Sequence, residues 1–117
     1  MRHRGGTLVV VSLSLLLSVT TCAGPGATAP GPVATDHVDL PRSYLFSPAD
    51  IVVAPGTVVT WTNSDQFTHS VRLIDGDRMV GEMRPGQSVT FTFATAGTYR
   101  YECTFHPQNM KGTVTVR

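Results

Sequence analysis

The chain has 117 residues and a formal charge of +1, and all nine Phe, Trp and Tyr side chains fall between Tyr44 and Phe105, leaving residues 1–36 without an aromatic. One small domain over residues 37–117 can therefore be built; at that size it buries roughly 60–68% of its unfolded surface and tends to lean on a metal or a disulfide. This excludes a multi-domain enzyme and any fold of several βαβ units. Beyond Cys22 seven Lys/Arg face eight Asp/Glu, with no clustered basic face of the kind nucleic-acid binding requires.

In chain order, Arg2, His3 and Arg4 precede an apolar run from Leu8 to Val19, which is followed by the small residues Thr20, Thr21, Cys22, Ala23 and Gly24. This is the layout of a secretory signal peptide, expected over residues 1–21. The twelve apolar-run residues would make a helix of only about 18 Å, short of a bilayer core of about 30 Å. The ending Val19-Thr20-Thr21-Cys22 resembles a bacterial lipobox. That resemblance implies that Cys22 is lipidated and anchors an exported protein, periplasmic or on the outer face of the cell membrane. Two alternatives stay open: ordinary cleavage near Ala23 or Ala27, and a disulfide between Cys22 and Cys103. The stretch AGPGATAPGPVAT over residues 23–35 has no periodicity, so residues 22–36 are expected to form a Gly/Pro/Ala-rich tether.

From His37 onward apolar residues recur at every second position. Ile51 and Val53 alternate, as do Val59 and Trp61, Val71 and Leu73, Val89, Phe91 and Phe93, Tyr99, Tyr101 and Cys103, and Val114 and Val116. Such alternation sets one strand face on a core and the other in water. Pro55-Gly56, Asp75-Gly76, Pro85-Gly86 and Ala96-Gly97 supply turns about ten residues apart, the rhythm of an all-β sandwich or barrel. Seven or eight strands in two sheets are expected. His37, at the tether boundary, is read as solvated.

The same period orients the unusual side chains. His69 shares its parity with Val71 and Leu73, and Cys103 shares its parity with Tyr99 and Tyr101, so both point inward at strand ends. If those strands are neighbours, His106 and Met110 in the following loop converge with them. One cysteine, two histidines and one methionine form the His₂Cys donor set with a weak axial thioether that suits copper, because thiolate and thioether favour Cu(I) and imidazole accepts Cu(II). Singly, each residue has a plain structural explanation. Together, in this order, with Pro107 behind the second histidine and Gly112 before a closing strand, they predict a metal site.

The stretch from Tyr44 to the C-terminus resembles the cupredoxin family of small blue-copper proteins, in Phe46-Ser47-Pro48, Pro55 to Trp61, Asn63, His69 and Cys103-Thr104-Phe105-His106. The resemblance implies a Greek-key β-sandwich holding one mononuclear type 1 copper ion. It implies that His69, Cys103 and His106 are the equatorial ligands, that Met110 is axial and that Asn63 pins the ligand loops. Three residues separate His106 from Met110, a spacing between those of amicyanin and plastocyanin, so Gln108 is the alternative axial donor. The function implied is one-electron transfer outside the cytoplasm, without enzymatic turnover. A redox partner would dock near His106, Phe105 and Pro107, and a monomer is expected. Copper storage or delivery through the same ligands is the alternative function, and a metal-free interaction module is a third.

Overall fold

The computed structural model describes Gly5, Gly6, Gly24, Gly26 and residues 29–117; the expected export segment, apart from Gly5 and Gly6, and Cys22 lie outside the described residues. The period-2 pattern yields strands throughout, and among the described residues there are nine strands and no helix. They are β1 (Val33–Ala34), β2 (His37–Leu40), β3 (Asp50–Val53), β4 (Thr57–Asn63), β5 (His69–Leu73), β6 (Arg78–Met83), β7 (Ser88–Phe93), β8 (Gly97–Glu102) and β9 (Lys111–Val116). One sheet has six strands in the order β1-β3-β9-β8-β5-β6, the other three in the order β2-β4-β7.

The expected strand count of seven or eight is corrected to nine, and the ordered sheet reaches into the expected tether. Val33 and Ala34 pair parallel with Ile51 and Val52. A two-residue strand leaves no period to read in the sequence, and Gly31 and Pro32 precede it. His37 opens β2 on an exposed position, while Val38 and Leu40 of the same strand are buried.

Between the sheets, Leu40, Val59, Trp61 and Phe93 face Ile51, Val71, Leu73, Tyr101 and Val114, all buried. Burial alternates along β4 and β9, as one-sided packing requires. Two Pro-Gly pairs close tight turns: Thr57 N–H bonds Ala54 O and Gln87 N–H bonds Arg84 O. Gly56 and Gly86 there have φ of +88° and +83°, the order and hand of type II turns, which only glycine enters freely.

Two features place the functional end. First, β5 and β8 pair antiparallel through Arg72 with Glu102 and Leu73 with Tyr101, so the start of β5 meets the end of β8. Second, the Tyr101 hydroxyl crosses β9 to donate to Ala49 O at 2.7 Å. Gly112 permits that crossing, because a Cβ there would fall 2.5 Å from the Tyr101 hydroxyl and 2.2 Å from Ala49 O. The end of β8, directly before Cys103, is thereby fastened across the sheet.

Candidate metal centre

His69 is the first residue of β5 and Cys103 directly follows β8; both are fully buried. The next residues fold back on themselves. His106 N–H bonds Cys103 O, Asn109 N–H and Met110 N–H both bond His106 O, and Cys103 N–H returns to Met110 O. Pro107 occupies the second position of the turn from His106 to Asn109, where its fixed φ suits the bend. The loop therefore carries His106 over Cys103 and brings Met110, fully buried, to the strand end beside Cys103. Gln108 lies exposed on the outside of the same loop.

The donor atoms of His69, Cys103 and His106 all lie within 4.8 Å of one another. His69 Nδ1 is 3.7 Å from Cys103 Sγ, and the two imidazole centroids are 5.5 Å apart. Donors on one ion at about 2.0–2.3 Å stand roughly 3–4 Å apart, so the trio needs little movement to close on a metal. Cys103 is a free thiol, not half of a bridge. His106 Nδ1 is buried without a hydrogen-bond partner, an arrangement that costs free energy unless something occupies that direction. A soft thiolate and two imidazoles suit copper, and Met110 is buried in the loop whose backbone bonds Cys103; the residues fit the ion.

Surrounding groups fix the orientation of each donor. Asp65 Oδ2 lies 2.9 Å from His69 Nε2 in the buried interior. The hydrogen bond with His69, helped by the Gln66 backbone N–H and by nearby positive charge, holds the Asp65 carboxyl below its usual range despite burial, which pushes the other way. An ionised carboxylate can only accept, so this hydrogen bond calls for a proton on His69 Nε2, the ring nitrogen on the side away from Cys103. Asn63 donates to Phe67 O at 2.8 Å and Met83 O at 2.9 Å, and its Oδ1 accepts Asp65 N–H at 2.9 Å. It thus shapes the loop leading to His69. The tie between the two ligand segments is made elsewhere: Ser70 Oγ accepts Thr104 N–H at 2.8 Å, and Ser70 N–H points at Cys103 Sγ at 3.4 Å.

Of the four candidate donors, His106 is the one that is not fully buried. His106 is half-buried, with the Tyr44 ring 4.4 Å from its own and Phe67 stacked on Tyr44 at 5.8 Å. Phe67 and Phe105 are 56% and 48% exposed and make this end apolar. Asp65, Ser70, Thr104 and Tyr44 were not assigned roles from the sequence. Their only signal was proximity in the chain to His69, Cys103 or the Phe46-Ser47-Pro48 stretch. Met83, opposite His69 in the β5–β6 pair, is core.

Comparison with known proteins places the sandwich in a family. Residues 37–117 match the family described as copper binding proteins, plastocyanin/azurin family. Plastocyanin of Scenedesmus fuscus is 34% identical over 88 residues, covering 64% of this chain and 89% of that protein. Amicyanin of Paracoccus denitrificans is 36% identical over 86 residues, covering 68% of this chain and 63% of its own. The solved purple cupredoxin from Nitrosopumilus maritimus superposes with a TM-score of 0.61 at 28% identity, covering 69% of this chain and 98% of that one. With a family match across the whole sandwich and the copper donors gathered at one end of it, the chain belongs to the plastocyanin/azurin family of copper-binding proteins.

Proposed function

We propose that this protein carries single electrons between partner proteins through one copper ion held by His69, Cys103 and His106, with Met110 axial. Bound there, copper supplies a Cu(II)/Cu(I) couple. The observation that carries the reading is the gathering of donor atoms of His69, Cys103 and His106 within 4.8 Å of one another, with His106 Nδ1 buried and lacking a hydrogen-bond partner. His69 and Cys103 are held by strand ends and keep water out, which limits the rearrangement that accompanies a change of oxidation state. Met110 is buried and Gln108 exposed, which favours the thioether as axial donor.

His106 is the half-exposed donor and offers the path for the electron. Phe105 and Pro107 beside it, joined by Tyr44 and Phe67, form an apolar docking face of the kind that brief redox encounters use. The near-balanced charge beyond Cys22 gives little long-range steering. The charged start and apolar run of residues 1–21 support export, and Cys22 is the proposed lipid anchor. A mass spectrum of the membrane fraction should show acylated Cys22; a mature N-terminus beyond that residue would refute it.

Adding Cu(II) to the purified protein should produce an intense thiolate-to-copper absorption that Cys103→Ser abolishes. Rapid electron self-exchange is expected of the loaded protein. Slow exchange together with ready loss of copper to an acceptor would instead identify a delivery protein.

A further inference from the structure

The carboxylate of Asp65 is not needed to ligate a metal, yet it is buried in the loop before β5, only 5% exposed. Its Oδ2 meets His69 Nε2 at 2.9 Å and its Oδ1 accepts the Gln66 backbone N–H at 2.6 Å. Its own N–H is fixed by Asn63, which is in turn bonded to the backbone of Phe67 and Met83. A side chain restrained at both oxygens and through its backbone cannot swing away when the charge of the site changes. It therefore acts on the site in two ways. By accepting from Nε2 it selects the tautomer whose bare Nδ1 faces Cys103 Sγ, 3.7 Å away. By leaving a fixed negative charge on the far side of a ligand imidazole, it makes that ring a stronger donor.

We propose that Asp65 is the positioning residue of the copper centre: it locks His69 in its ligating tautomer and, as a buried anion, holds the reduction potential down. The proposal rests on the copper reading above. The more positive ion gains more from a fixed anion, so the carboxylate favours Cu(II) over Cu(I). The couple takes one electron from a partner protein and no proton, since Nε2–H stays on His69 in both states.

Two measurements test this. In the metal-free full chain, the ¹⁵N spectrum of His69 should show Nε2 protonated and Nδ1 bare, whereas Asp65→Ala should give mixed tautomers. A proton on Nδ1 in the unsubstituted protein would overturn the positioning role, whatever copper does. In the copper-loaded protein, Asp65→Asn keeps an acceptor of the same shape and removes the charge. It should raise the Cu(I)-to-Cu(II) affinity ratio about tenfold, ~59 mV in potential for one electron, with the visible band retained. An unchanged potential with that band intact would overturn the electrostatic role. Absence of the band in the unsubstituted protein would overturn the copper reading and the potential claim together, leaving the tautomer result to decide the positioning of His69.

Discussion

Met110 closes the ligand loop from within. Its N–H and carbonyl are both spent, on His106 O and on Cys103 N–H, so its buried side chain has little freedom in direction. If Met110 is the axial donor as proposed, its thioether would donate weakly to oxidised copper, and Met110→Leu should keep the colour while raising the reduction potential on the order of 60 mV, a tenfold change in relative affinity. Cyclic voltammetry of the two proteins checks this; an unchanged value would remove Met110 from the axial position. That His69 and Cys103 face inward was legible in the sequence, because both sit on strand parity that fixes which way they face. Asp65 and Ser70 were not. Asp65 lies in a loop, where no period operates, and Ser70 finds Thr104 only through the pairing of β5 with β8.

At the scale of elements, the site depends on how firmly β8 is held along its length. Tyr101 is clasped over Gly112, and burial pushes its phenol pKa upward, keeping it a neutral donor to Ala49. Further along, Arg100 grips Asp75 with the guanidinium and the backbone N–H, joining β8 to the turn between β5 and β6. The Asp75 carboxyl is held below its usual range by Arg100. A depressed folded-state value means the contribution is complete above the unfolded carboxylate pKa of about 3.9 and is lost as pH falls through the folded one. Asp75→Asn should therefore weaken the acid dependence of unfolding, read as a smaller difference in urea midpoint between pH 5 and pH 3: the loss, small for so exposed a pair, is complete at pH 7 and shrinks as the pH falls. The strands and turns were legible from alternation and from Pro-Gly pairs. Their parallel pairings, β2 with β4 and β3 with β9, were not, since register between distant segments is set by tertiary packing.

For the molecule as a whole, the ligands draw together the start of β5, the end of β8 and the loop before β9. An ion that binds this folded arrangement and not the open chain stabilises it by mass action, ~2.7 kcal/mol when free metal is a hundredfold above Kd. Copper loading should thus raise the thermal midpoint and chelation lower it, with the far-ultraviolet spectrum unchanged because the strands already hold the donors near one another. Calorimetry with and without chelator measures the difference.

His106 beneath Tyr44 is half-exposed, while His69 and Cys103 are fully buried. If partners dock at His106 as proposed, donor and acceptor share one threshold and cannot stand there at once. Such a carrier would work by turns, releasing one protein before greeting the next.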